Sequence, residues 1–189
     1  MSQPYKTLFI FDKPIQMHPS FQNLYTKIEL QRQKTLDCVK DLTEENFNKS
    51  VNKKWSIAQI LSHLVASEKL SILYVRKKIQ GIKDVKDTGL IEEIKMLLLR
   101  MSQRLPGLKF KAPQGLDEHT ANFNNFASLK NEWDIIRNDL RLLLDTIPSE
   151  YRNRMIYKHV RAGYLNMKHA LQFFEEHIIH HMPQIKKLL

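Results

Sequence analysis

Apolar residues recur at three- and four-residue intervals along most of the chain, and no Val- or Ile-rich alternating run interrupts them. That is the period of an α-helix, so the chain is expected to be all-α. Four long helices are legible. The first runs from about Pro19 to Lys40, with Phe21, Leu24, Ile28, Leu36 and Val39 on one face. Pro19 suits a first turn, where its missing amide is no loss. The second opens at Ser56, with Gln59 three residues on in a capping-box pattern. It stops near Gly81, after Arg76, Lys77 and Lys78, which suit a helix C-terminus. The third runs from about Ser128 to Thr146 and is stopped by Pro148; the fourth runs from about Asn166 to the C-terminus. A shorter helix is expected over Ile91–Arg104, then a loop over residues 105–125 containing Pro106, Gly107, Pro113 and Gly115. This pattern points to a four-helix bundle with a crossover connection and a short extra helix.

The 189 residues are expected to form one domain over residues 19–189, after an N-terminal extension of residues 1–18. A single cysteine, Cys38, excludes an internal disulfide framework and a Cys-rich zinc module. It points to a reducing compartment, and Cys38 itself reads as a small packed residue. No apolar run approaches the ~18 residues of a membrane span, and the N-terminal stretch lacks signal-peptide architecture. A cytoplasmic location and no membrane partner are therefore expected. Thirty Lys and Arg against twenty Asp and Glu give a formal charge of +10. The excess is spread out and accompanied by no nucleic-acid-binding motif, so it reads as a solvated basic surface with no nucleic-acid partner. There is no Gly-rich phosphate loop, which argues against a nucleotide cofactor.

The histidines carry the chemical signal. His177 and His181 are four residues apart, so on a helix they lie about 40° apart on one face. That face continues through Ala170, Phe173, Phe174, Ile185 and Leu188, and is the buried stripe. His180 is rotated to the side of Glu176, Pro183 and Lys187 and should point outward. Two neutral imidazoles aimed into a core need partners, because an unpaired buried polar group costs ~1–3 kcal/mol. A metal ion is one solution; hydrogen bonds to backbone or water are the other. The HExxH pattern of metalloproteases is not met, since Ile178 stands where its general base would be. His63, on the stripe of Ile60, Ser67 and Leu70, is the candidate third ligand, because bundle sites are built from facing helices. His63, His177 and His181 thus form the candidate metal set. Glu68 lies about 140° around its helix from His63 and reads as structural rather than ligating. Trp55 reads as an anchor of the bundle end. His159 is either a second-layer or substrate residue, or an exposed or turn-capping one. His18, His119 and His169 carry no pattern.

Trp55-Ser-Ile-Ala-Gln-Ile-Leu-Ser-His63-Leu64, followed by Glu68, resembles a segment of the DinB-like metalloenzymes. His159-Val-Arg-Ala-Gly163 and His177-xxx-His181-xx-Gln184-Ile185 resemble their ending, and Phe110-Lys-Ala-Pro113 resembles the loop after their second helix. Val160 departs from the family's usual proline. The resemblance implies an up-down-down-up bundle, often a homodimer, with a three-His site at His63, His177 and His181 holding zinc or nickel. Some relatives join a low-molecular-weight thiol, bacillithiol or mycothiol, to small electrophiles. The expected function is therefore a metal-dependent S-transferase with a small-molecule thiol and an electrophile as partners. A metal-dependent hydrolase or a non-catalytic metal- or ligand-binding bundle is the alternative.

Overall fold

The structure is a computed structural model that describes residues 17–52, 54–105 and 120–189. Its described residues form six α-helices and one small hairpin. Helix α1 spans Pro19–Val39, α2 Glu44–Asn48, α3 Ile57–Ile79, α4 Leu90–Arg104, α5 Phe126–Asp145 and α6 Met167–Lys186. Strands β1 (Tyr157–His159) and β2 (Gly163–Leu165) pair antiparallel between α5 and α6. The resembling segment Phe110–Pro113, His119, most of the expected loop and residues 1–16 lie outside the described residues.

Local chemistry sets the helix starts. Ser56 caps α3 in a full capping box: its hydroxyl accepts from the Gln59 amide, and Gln59 Oε1 accepts from the Ser56 amide. Asn166 caps α6 by accepting from the His169 amide, and Asn125 caps α5 by accepting from Ser128. The third long helix thus begins at Phe126, two residues before the expected Ser128, because the cap is Asn125. At the start of α1, His18 is the cap, its Nδ1 accepting from the Ser20 amide, while Met17 is buried against the core.

Cross-helix pairs give the helix directions. Lys69–Glu132 and Arg76–Asp139 share one sequence offset, so α3 and α5 run the same way. Arg32–Asp134 and Arg137–Glu29 progress in opposite senses, so α1 opposes α5. Helix α6 packs most extensively on α1, then on α4 and α3. The core between them holds Phe21, Ile28, Ile60, Leu64, Trp133 and Phe174, all buried. Each fully buried aliphatic or aromatic side chain of this kind stabilises the fold by ~1.5–3 kcal/mol.

Three features differ from the sequence reading. The hairpin was not expected: its three-residue strands are too short for an alternation signal. Gly163, with φ of 74°, supplies the left-handed residue where β2 begins. Helix α2 lies just after the first helix, where no helix was expected, nucleated by the Thr43 cap and anchored by buried Phe47. Cys38 is exposed rather than packed, because Thr35, Leu36 and Val39 take the inward face of α1.

Candidate metal centre

His63 projects from the second turn of α3, and His177 and His181 from consecutive turns in the second half of α6. The capping box fixes where α3 begins, and the Asn166 cap fixes the start of α6, so helix geometry carries all three imidazoles to one point. The structure brings them together as a group that could hold a metal ion, with one nitrogen from each within 4.8 Å of the others. Each of the three residues is only 7–8% exposed. His63 Nε2 lies 3.1 Å from His177 Nε2, and His181 Nε2 lies 3.2 Å from the same atom.

The proton inventory of this cluster is tight. His181 Nδ1–H donates to Gln184 Oε1 at 3.1 Å, which leaves the lone pair on Nε2. Burial pushes the His177 pKa well below the ordinary histidine value, and neighbouring His181 and His63 push it the same way. Burial, then His63, lowers His181 to about 3, against a smaller opposing effect of Gln184. Both rings are thus neutral near pH 7. One proton on His177 Nε2 can bond to only one of the two nitrogens that face it. With the His181 proton on Nδ1, its Nε2 lone pair faces His177 Nε2, which also faces His63 Nε2, and one shared cation would satisfy the three nitrogens together. Ligands ~2.0–2.1 Å from a tetrahedral ion stand about 3.3–3.4 Å apart, close to the observed spacing. The donor set fits a divalent cation of the zinc type.

Aromatic rings wall the cluster. Phe173 stacks on His177 with centroids 5.0 Å apart, and His159 meets Phe173 at 4.5 Å. Trp55 lies 5.1 Å from the His63 ring and is 38% exposed, so it stands at the rim of the cluster. This corrects the reading of Trp55 as a bundle-end anchor: the residue preceding the α3 cap is carried beside His63, two turns on. A polar recess of about 330 Å³, lined by Asn48, Ser50, Ser56, Gln59, Ser62 and Asn124, lies against the same end of α3. Gln59 is one helical turn from His63.

The other candidate residues stand apart. His180 is turned away from the cluster and its Nδ1–H donates to the Gln103 carbonyl at the end of α4, 2.8 Å away. Glu176, read as lying on a polar side, is buried: Arg104 grips it with Nε and Nη2, both at 2.7 Å, and Arg100 Nε adds a contact at 3.2 Å. Glu68 is structural, accepting from Trp133 Nε1 at 2.9 Å and Arg137 Nη2 at 2.7 Å. His159 caps the hairpin turn, its Nδ1 accepting from the Arg161 and Ala162 amides at 3.2 Å, but it is buried rather than exposed. His169, without pattern in the sequence, is fully buried with Nε2 3.1 Å from Glu93. Gln184 fixes the tautomer of His181; its place three residues after a candidate ligand was the available signal.

The DinB superfamily sequence model matches residues 27–185, a span containing the three histidines and Gln184. No curated protein and no solved structure matches the chain. Among the described residues no helix is long and apolar enough to cross a membrane.

Proposed function

The chain belongs to the DinB superfamily, and from that premise we propose that it is a metal-dependent S-transferase. His63, His177 and His181 hold a zinc or nickel ion, and a small-molecule thiol is transferred to an electrophile. The observation that carries the reading is the donor set: three buried imidazoles with nitrogens 3.1–3.2 Å apart along the cluster, and among the described residues no carboxylate with them. Neutral ligands leave a divalent cation its full charge, and that charge lowers the pKa of a thiol or water bound beside it.

The chain's own residues do the rest. Phe173 and the surrounding core keep water from the back of the cluster. Gln184 holds the His181 ring with its Nε2 lone pair inward. Trp55 offers a partly exposed aromatic face to an apolar electrophile at the rim. In the transfer, a sulfur–carbon bond forms, the bond from that carbon to the leaving group breaks, and the thiol proton passes to solvent. A thiol with pKa ≈ 8.5 lies far closer to neutral pH than water at about 15.7, so a cation beside it has to lower its pKa much less to make a nucleophile. Among the described residues no Asp or Glu joins the cluster as a general base. This favours thiol transfer over the hydrolase alternative.

The test is elemental analysis of tag-free protein, followed by turnover with cysteine as thiol and chlorodinitrobenzene as electrophile. The expected result is about one zinc or nickel per chain, with chloride release that stops on chelation and returns with metal. Turnover that survives complete chelation overturns the reading. Metal retained without turnover across a panel of thiols leaves the non-catalytic metal-binding bundle in its place.

A further inference from the structure

Helices α3 and α5 run in the same direction, and both begin at the polar recess of about 330 Å³. Ser56, Ala58, Gln59 and Ser62 of α3 line it, together with Asn124, the residue before the Asn125 cap of α5. Each helix start carries roughly half a positive charge on amides that have no intrahelical partner. Both partial charges therefore fall at the recess.

The polar groups that α3 leaves over there are donors. Gln59 spends Oε1 on the Ser56 amide at 2.9 Å and keeps both protons of its Nε2. The Ser56 hydroxyl accepts from the Gln59 amide at 3.2 Å and keeps its own proton. The capping box satisfies the Ser56 and Gln59 amides, which leaves those of Ile57 and Ala58 as the open donors of the first turn. Ser62, in the second turn, is 2% exposed and lines both this recess and the smaller one beside it. Its hydroxyl has no hydrogen-bond partner, whereas Ser71 further along α3 donates to the Ser67 carbonyl at 2.8 Å. A hydroxyl buried this far is costly unless something in the recess receives its proton. Exposed Asn48 spends its amide protons on the Glu44 and Asn124 carbonyls and leaves Oδ1, an acceptor for a hydroxyl or amine beside the anion.

Among the described residues no charged side chain lines the recess, and Lys69 of the smaller one is spent on Glu132 at 2.7 Å. Neutral donors at two helix starts suit a single negative charge; a phosphate dianion calls for Arg or Lys as well. We propose that the recess is a carboxylate site, and that it holds the carboxylate of the thiol whose sulfur reaches the metal centre. Ser62 precedes His63 and Gln59 stands one turn before it, so a ligand anchored here lies beside the cluster. The link to the thiol rests on the transfer reading; carboxylate binding does not.

Nuclear magnetic resonance titration of the isotope-labelled full chain with propionate tests the site. It is run before and after chelation, which tells a carboxylate on the metal from one in the recess. The expected result is saturable shifts at the Ala58 amide and the Gln59 side-chain amide in both states, with none from propionamide. Gln59→Glu keeps the capping-box acceptor but sets a negative charge where the Nε2 protons were. It should leave the circular dichroism unchanged and abolish the Ala58 shift. Ser62→Ala should weaken binding at least ~10-fold. Absent shifts, shifts confined to metal-loaded protein, equal binding of propionamide, or an Ala58 shift that survives Gln59→Glu overturns the site. Tighter saturation by inorganic phosphate overturns the choice of carboxylate. The link to the thiol is read separately with chlorodinitrobenzene as electrophile. Gln59→Glu should cut the kcat/KM ratio of mercaptopropionate to mercaptoethanol at least ~10-fold. An unchanged ratio overturns the link. No turnover with either thiol overturns the transfer reading and the link with it, while the propionate result stands on its own.

Discussion

His63 Nε2 and His177 Nε2 lie 3.1 Å apart although 114 residues separate them in the chain. The contact joins α3 to the middle of α6 and places two nitrogen lone pairs, or a lone pair and one proton, face to face in a buried site. Nothing in helix packing requires two imidazoles there; a leucine pair would fill the space without the polar cost. The contact is intelligible as half of a cation site completed by His181.

Replacing His63, His177 or His181 singly by Ala should therefore reduce bound metal by at least ~10-fold, since two neutral nitrogens hold a divalent ion far more weakly than three. His180→Ala should leave the metal in place, because His180 donates to Gln103 instead. Inductively coupled plasma analysis after dialysis reads both. Equal loss from His180→Ala would mean the cluster is assigned to the wrong face of α6.

Gln184→Ala should weaken metal binding by ~10–100-fold without removing a ligand, because it frees the His181 ring to rotate and to change tautomer. Gln184→Glu keeps an acceptor for the His181 Nδ1 proton and should restore most of the affinity. Competition titration with a chromophoric chelator measures the series. Equal affinities for wild type and Gln184→Ala would show that the 3.1 Å contact does not orient the ring.

The sequence could announce the His63, His177 and His181 cluster because each histidine sits on a helical stripe that must be buried, and helical angles then fix its direction. The cap at Ser56 was legible because the capping box is a local pattern, with Gln59 three residues on. What local pattern does not encode is pairing between distant residues. Glu176 looked like part of a solvated face, yet Arg100 and Arg104 from α4 neutralise it and let it be buried. Trp55 was read as an anchor of the bundle end, but it precedes the helix and takes its position from the turn, which helical angles do not encode.

Arg137→Ala should destabilise the fold by about 3–5 kcal/mol, because it strips the charged partner from a carboxylate with no route to water. Glu68 is 1% exposed, and the 2.7 Å contact from Arg137 is its charged neighbour. Burial pushes the Glu68 pKa up, while Arg137 and the Trp133 indole pull it back. The pair Glu68→Leu with Arg137→Met removes both charges and should recover most of the loss. Chemical denaturation of Glu68→Leu, Arg137→Met and the double variant closes the cycle. Additive losses would mean the two side chains are energetically independent.

Protonation of His159 should make the fold acid-sensitive in a defined window. Burial, then the Arg161 charge, lowers its pKa from 6.5 to about 4. Between those values the unfolded chain binds a proton that the folded chain refuses, so stability rises with pH across the window. The contribution is fully present above pH 6.5 and is lost as pH falls toward 4. At pH 5 the loss is about 2 kcal/mol relative to neutral pH. His177 and His181 are depressed in the same direction, so the wild-type chain should lose more than this in total. His159→Asn isolates one share: its carbonyl can accept from the Arg161 and Ala162 amides that His159 Nδ1 now caps, and it does not titrate. Thermal unfolding of both proteins from pH 7.5 to 4.5 should show a shallower decline for His159→Asn. Parallel curves would mean that the hairpin opens and hydrates the ring before the proton arrives.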